Sequence, residues 1–314
     1  MPLPKVLIRG VVEMFFGALE AGGTKMVCAV GDENGNIFQQ ISIPTTTPEE
    51  TMPKVIEYFK AVNEEKPLKA LGIACFGPID LNKKSQTYGS ILNTPKIAWR
   101  NFPIVQTLRD ELNNIPVGFD TDVNGSLLGE VTWGVAKGLT DAMYFTIGTG
   151  IGGGAMSNGK FIHGMLHTEV GHLQVALEPN EVEGFRGVCP NHGVCFEGMA
   201  SGPAIEARWG KPAKDLLDRP EVWELEAAYI AQAMVDVIMT LSPQKIILGG
   251  GVMHQKQLFP LIRKKVIEKI NGYIDTKELR NMDTYIVPAS LNDNQGIKGA
   301  IKLAVDALEE EQDI

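Results

Sequence analysis

Phe15-Phe16-Gly17-Ala18-Leu19-Glu20-Ala21-Gly22-Gly23-Thr24-Lys25-Met26-Val27-Cys28-Ala29-Val30 decides the architecture. Apolar residues alternate through Phe16 and Ala18, and again through Met26, Cys28 and Val30, on either side of Gly22-Gly23. This is the period of two extended strands joined by a glycine turn. Asn34-Gly35 supplies a second tight turn, and a third strand starts at Ile37. The second half repeats the order. Residues 142–147 read as a strand, 148–154 as a glycine-rich turn, Ala155-Met156 as the returning strand, and Asn158-Gly159 as a hairpin leading to 160–162. A motif-level duplication of this kind, in a chain of 314 residues, predicts two α/β lobes with a ligand in the cleft between them.

Working outward, Thr47, Pro48 and Glu50 form a capping-box pattern ahead of a helix whose apolar face carries Val55, Ile56, Phe59 and Val62. A short buried strand at 71–76 ends at Gly77-Pro78, and another at 116–119 runs into Asp120-Thr121-Asp122-Val123-Asn124. Later come a helix over 224–241 stopped by Pro243, a strand at 245–248 emptying into Gly249-Gly250-Gly251, and a final helix that begins at about 294.

Composition narrows the function classes. With 44% hydrophobic and 21% charged residues the chain reads as an ordinary globular protein. A net charge of −9 argues against broad contact with a nucleic-acid backbone. A nucleotide can still be held, provided that backbone N–H groups and a metal ion neutralise its phosphates locally. No apolar run reaches the length of about 18 residues that a membrane helix needs. Lys5 and Arg9 precede an apolar stretch that superficially resembles a signal peptide, but Glu13 and Glu20 interrupt it. Residues 1–14 are therefore read as an extension, and the expected compartment is the cytoplasm. Cys28 and Cys75, in apolar runs, are expected to be buried free thiols.

The glycine turns carry the first chemical signal. Without a Cβ, backbone N–H groups can approach phosphate oxygens closely. Gly22, Gly23, Thr24 and Lys25 offer such a turn with a hydroxyl and an ammonium, and Gly148, Thr149 and Gly150 open another. Gly148-x-Gly150-x-x-Gly153 formally matches a dinucleotide fingerprint, but that motif must open a helix, and here a strand follows. No Walker-type lysine-serine loop exists. Gly22-Gly23 alone is equally well a plain hairpin; a second such turn heading the second half, with Gly249-Gly250-Gly251 after a third strand, weighs against that.

Cys189-Pro190-Asn191-His192-Gly193-Val194-Cys195 places three soft or borderline ligands within seven residues, a donor set that suits tetrahedral zinc. His163, His167 and His172 are candidates for the fourth ligand, and a disulfide is the alternative. A closed four-ligand site would be structural. Asp120 and Asp122 stand at a strand end, where either could serve as the base in a phosphoryl transfer; spacing does not choose between them. Glu169 and Glu197 could accept hydrogen bonds from a sugar, or be surface carboxylates.

Taken together, these segments, with 201–209 and 246–253, resemble the ROK family of sugar kinases and repressors, and within it the bacterial fructokinases. The resemblance runs from about Phe15 to the final helix. It implies an α/β, two-lobed, actin-like and hexokinase-type ATPase fold with ribonuclease H-like lobes and an active site between them. The lobes would span 15–134, joined by the final helix 294–312, and 135–293, which carries the zinc loop. By position, Asp122 looks like the general base. Gly22, Gly23, Thr24 and Lys25 would meet the terminal phosphates of ATP; Gly148, Thr149 and Gly150 would form a second phosphate loop. Pro203, Gly249, Gly250 and Gly251 would border the adenosine. Thr121, Asn124, Glu169, His172 and Glu197 would face the sugar, and His172, Cys189, His192 and Cys195 would bind zinc. His172 can do both if one ring nitrogen holds the metal and the other faces the sugar. Glu20 stands where the family usually has aspartate, and would reach Mg²⁺ through water.

Glu20, and Thr121 in place of the usual asparagine, match the fructokinase branch. They shift the expected substrate toward fructose, with glucose, mannose or an N-acetylhexosamine as alternatives. A sugar-sensing repressor is disfavoured, because 14 residues before Phe15 are too few for a DNA-binding module. The expected partners are ATP, a free hexose and a second copy of the chain, with neither nucleic acid nor membrane.

Overall fold

A computed structural model describes residues 14–312; all of the expected extension except Met14 lies outside the described residues. Five strands make the first sheet: β1 (Phe15–Ala21), β2 (Lys25–Gly31), β3 (Ile37–Pro44), β4 (Leu68–Cys75) and β5 (Val117–Thr121). Their spatial order is β3-β2-β1-β4-β5, with β1–β3 antiparallel and β4 and β5 parallel to β1. Helices α1 (Pro48–Glu65), α2 (Ile104–Glu111) and α3 (Asp122–Trp133) belong to this half.

The second sheet contains β6 (Ala142–Ile147), β7 (Ile151–Ser157), β8 (Lys160–Phe161), β9 (Lys245–Gly249) and β10 (Ile286–Pro288). Its order, β10-β9-β6-β7-β8, repeats the first sheet's plan of one antiparallel meander extended by two parallel strands. The duplication seen in the glycine turns thus extends to both whole sheets. With it run α4 (Phe196–Ala200), α5 (Gly202–Trp209), α6 (Pro220–Leu241), α7 (Leu258–Ile270), α8 (Met282–Tyr285) and α9 (Gln295–Gln312).

The period-two pattern of β1 and β2 explains the layering. Leu19, Ala21, Met26, Cys28 and Val30 pack against Met52, Val55 and Phe59 of α1 and Leu108 of α2. Phe16 and Ala18, on the opposite face, meet Leu127 of α3 and Ile297, Ala300 and Ile301 of α9. That same middle layer buries Ala142, Tyr144 and Met156 of the second sheet. Met143, Phe145 and Ile147 point the other way, onto α6 and α7. The stack is therefore helices, sheet, α3 with α9, sheet, helices, each large buried side chain contributing about 1.5–3 kcal/mol.

Two glycine contacts set how tightly the middle layer closes. A Cβ on Gly72 of β4 would lie 1.8 Å from the Ala300 carbonyl oxygen, and one on Gly299 of α9 would lie 1.7 Å from that of Gly125 in α3. Helix α9 therefore packs backbone to backbone on both neighbours, and it fixes the N-terminus of α3 at the centre of the molecule.

Several local expectations need correction. Thr47 does precede α1, with Pro48 in its first turn, but the Thr47 side chain makes no capping hydrogen bond. The turn expected over 148–154 is confined to Gly148-Thr149-Gly150, and Gly152, Gly153 and Gly154 lie inside β7. There a Cβ on Gly154 would sit 2.5 Å from the Val123 carbonyl oxygen, and one on Gly153 2.4 Å from Val170 Cγ2. The glycines make room for neighbours on both faces of the strand. Helix α6 starts at Pro220 rather than 224, consistent with the preference of proline for a first helical turn.

Candidate active site

Strand β5 ends at Thr121 and α3 begins at the next residue. The Thr121 hydroxyl accepts the Asn124 amide at 3.1 Å and caps the helix, so the side chain is buried and its oxygen is in use. Asp122 sits at the first helical position, where the aligned peptide dipoles favour negative charge. It is half-buried, and one carboxylate oxygen accepts the Val123 amide at 2.9 Å. Burial raises its pKa to about 6, against the opposing pull of that hydrogen bond. Such a carboxylate is ionised near neutral pH yet basic enough to take a proton.

Asp120 is engaged differently. Its Oδ1 accepts the Thr121 amide at 2.7 Å and the Asn124 side-chain amide at 2.7 Å, and its Oδ2 lies 3.1 Å from His163 Nε2. Asp120 thus has both oxygens engaged by its surroundings, whereas Asp122 keeps one oxygen without a hydrogen-bond partner among the described residues.

His163 and His167 entered the sequence reading only as candidate zinc ligands, and the structure places them elsewhere. The hydrogen bond to Asp120 raises the pKa of His163. His167 Nε2 accepts the Ile79 amide at 3.1 Å, and its Nδ1 lies 3.5 Å from Glu169 Oε1. Burial lowers the pKa of His167, as expected for an imidazole that receives an amide proton. Both thus tie the segment after β8 to the ends of β4 and β5. Glu169 is raised to about 7, first by burial and then by the carboxylates of Glu197 and Asp122, so these three acids share one neighbourhood. Glu197 Oε2 accepts the Ile151 amide at 2.9 Å, beside the second glycine turn.

At the first turn, Gly22 N–H donates to the Glu20 and Lys25 carbonyls at 3.1 Å each, and a Cβ on Gly22 would meet the Lys25 carbonyl oxygen at 2.7 Å. Hairpin geometry therefore demands glycine at position 22. It does not demand it at 23, where a Cβ would touch only the flexible Lys96 side chain. Gly148 is similar. Its φ is not positive, and a Cβ there would meet only the Gly251 amide nitrogen, at 3.6 Å. Gly251 has open space around the same position. At these three positions neither backbone conformation nor a crowded neighbour requires glycine. Gly148 also accepts the Gly202 amide at 2.7 Å, which brings the second turn, Gly251 and the start of α5 with Pro203 together. Thr24 and Lys25 are exposed.

Glu20 lies on the inner face of β1, its carboxylate against Gly296 of α9. Burial and the Asp122 charge raise it to about 7, with Lys25 pulling the other way. Two acids held so close in a partly dry site are the donor chemistry that a divalent cation fits.

The cysteine segment also closes up. Cys189, Cys195 and the other two cysteines are free thiols, so the disulfide alternative fails. The ligand atoms of His172, Cys189, His192 and Cys195 all lie within 4.8 Å of one another. His172 Nδ1 is 3.9 Å from Cys189 Sγ and 3.6 Å from Cys195 Sγ, and His192 Nδ1 is 3.6 Å from Cys189 Sγ. A zinc tetrahedron with ordinary bond lengths has edges of about 3.6 Å. The donor set and its geometry are consistent with a structural zinc. Because His172 turns Nδ1 to the thiols, its Nε2 is left for the other side of the ring.

Residues 16–307 match the ROK family. A protein of Bacillus subtilis (strain 168), named provisionally as a fructokinase, is 53% identical over 296 residues, covering 94% of this chain and 97% of that one. The fructokinase of Pediococcus pentosaceus is 46% identical over 295 residues, covering 94% and 99%. Among solved structures, a ROK hexokinase from Thermus thermophilus superposes with a TM-score of 0.76 at 23% identity, covering 95% of this chain and all of that one.

Proposed function

The chain belongs to the ROK family, and from that premise we propose that it is an ATP-dependent fructokinase, converting ATP and D-fructose to ADP and fructose 6-phosphate. The observation that carries the chemistry is Asp122, a half-buried carboxylate with a pKa raised to about 6 at the start of α3. The fructose 6-hydroxyl oxygen forms its bond to the γ-phosphorus as the bond from that phosphorus to the β–γ bridging oxygen breaks. Asp122 receives the hydroxyl proton, and ADP leaves with the electron pair.

The bare amides around Gly23 and Gly148 hold the phosphates, with Thr24, Lys25 and Thr149 beside them, while Pro203 and Gly249 to Gly251 border the adenosine. Asn124, Glu169, Glu197 and the free side of His172 bind the sugar. The site lies in a cleft between two lobes, 15–134 with 294–312 and 135–293. Glu20 would hold Mg²⁺ through water, and the bound cation supplies charge neutralisation of the phosphates. His172, Cys189, His192 and Cys195 would hold zinc, which supplies a rigid frame for the segment that orients the sugar. Free cysteines throughout agree with the cytoplasm.

Fructose is favoured over glucose by Thr121. A hydroxyl committed to capping α3 replaces an amide that could read pyranose hydroxyls. The test is ADP release coupled to a reporter across fructose, glucose, mannose and N-acetylglucosamine. Fructose giving the highest kcat/KM supports the reading; turnover confined to another sugar, or to none, overturns it.

A further inference from the structure

Resting on the kinase reading above, we propose that Lys96 is a phosphate-binding residue of this active site, its ammonium taking the transferring phosphoryl group beside Gly23. Lys96 lies outside every motif that pointed to the site. It stands on the segment between β4 and α2, and its side chain runs along the first glycine turn. A Cβ built on Gly23 would lie 3.0 Å from Lys96 Cε and 3.9 Å from Nζ.

Its lack of a partner sets it apart. Among the described residues, the half-buried lysines are Lys66, Lys96, Lys245, Lys265, Lys298 and Lys302. Lys66 sits over the rings of Phe15 and Phe38. Lys245 and Lys298 donate to the backbone carbonyls of Thr284 and Gly35, and Lys265 and Lys302 pair with Glu224 and Asp306. Lys96 alone has no carboxylate, carbonyl or ring for its ammonium. A partly desolvated cation without a counter-charge is costly unless a ligand supplies one.

The backbone that carries Lys96 is held in place. Thr94 is buried and its hydroxyl accepts the Lys96 amide at 3.4 Å, while the Trp99 amide donates to the Lys96 carbonyl at 2.8 Å. Trp99 is fully buried, and its indole N–H donates to the Thr46 carbonyl at 2.8 Å. The adjacent Thr45 ties down the turn itself, its hydroxyl donating to the Gly22 carbonyl at 2.8 Å and its amide to that of Thr24 at 3.0 Å. Turn and lysine segment are therefore anchored at adjacent residues, the turn on Thr45 and the lysine segment, through Trp99, on Thr46. A cation stationed beside the turn, on a backbone held in advance, can stabilise the charge of a transferring phosphoryl group. The acids of the site, Glu20, Asp122, Glu169 and Glu197, leave that role to the cations next to the turn. Lys96 gains and loses no proton in the step; it binds the equatorial oxygens of the group in flight.

The test compares the parent with Lys96→Met and Lys96→Arg. Steady-state kinetics with MgATP and fructose are paired with calorimetric affinities for ADP and for AMP-PNP, which differ by the terminal phosphoryl group. We expect Lys96→Met to lower kcat by about 10²-fold, the usual loss for one such donor. AMP-PNP should weaken about tenfold and ADP less than twofold, as for loss of one charge-assisted contact, and Lys96→Arg should recover most of both effects. Lys96→Met with the parent's AMP-PNP to ADP affinity ratio overturns the proposal, whatever has happened to turnover. A parent that binds both nucleotides but leaves fructose untouched removes the fructose reading, while the affinity ratio still decides Lys96. A parent that binds neither nucleotide overturns both.

Discussion

Asp120 and Asp122 stand two residues apart and do different work. The first gives its oxygens to two amides and His163, whereas the second keeps an oxygen free at a helix start. Asp122→Asn should therefore leave the melting temperature near the parent's and lower kcat by about 10²–10⁴-fold, the share of a general base. The pH profile tests the same residue. The base must be ionised to act, and burial raises its pKa to about 6, while Glu20 and Glu169 are raised to about 7, so kcat/KM should be level only well above pH 7 and fall at least tenfold per pH unit well below 6. A profile level down to pH 4.5 would remove Asp122 from the mechanism. The sequence showed both aspartates at a strand end, but spacing along the chain carries no information on which oxygens are already occupied. His163 and His167 were open candidates beside His172 for a related reason. Their proximity in sequence to the cysteines suggested a metal, whereas the segment folds back onto β4 and β5 instead. Lys96 carried no sequence signal, because a lysine in a loop is ordinarily solvated.

Among the elements, α9 and the Ala155-Met156 end of β7 were legible in the sequence, whereas α3 and the glycine half of β7 were not, and neither was how closely the three approach. Gly299 looks like an unremarkable helix glycine until α3 is placed 1.7 Å from its missing Cβ. Gly299→Val should cost about 1–3 kcal/mol or more by overpacking, read as a lower denaturation midpoint, and should depress activity with it by displacing the start of α3. A midpoint equal to the parent's would contradict the backbone-to-backbone packing. Helix α6 holds the opposite case. Glu226 is 1% exposed, neither of its oxygens has a partner, and burial raises its pKa well above the usual carboxylate range. Arg208 is already taken by Glu181 at 2.9 Å and by the Met199 carbonyl at 2.7 Å. The unfolded chain ionises Glu226 near pH 4.5 while the fold resists it, so this residue subtracts stability as pH rises above that value. Glu226→Met should raise the melting temperature by a few degrees at pH 8, with the gain shrinking toward pH 4. A loss at pH 8 would mean that the carboxylate has an unseen role.

At the level of the whole molecule, the duplication was readable because each half announces itself with strand, glycine turn and strand, and both sheets then complete the same order. What the chain could not show was convergence, such as Gly148, Gly202 and Gly251 meeting from three separate segments. The same convergence gathers His172 with Cys189, His192 and Cys195, which follow it in the chain. Metal analysis should find one zinc per chain in the parent and little in Cys189→Ser; undiminished zinc in the variant would refute these ligands. The most direct measurement is a crystal structure with AMP-PNP, Mg²⁺ and fructose. Phosphates should lie against the amides of Gly23 and Gly148, with the fructose 6-hydroxyl hydrogen-bonded to Asp122. Nucleotide bound away from both turns, or a sugar whose 6-hydroxyl faces another residue, would contradict it.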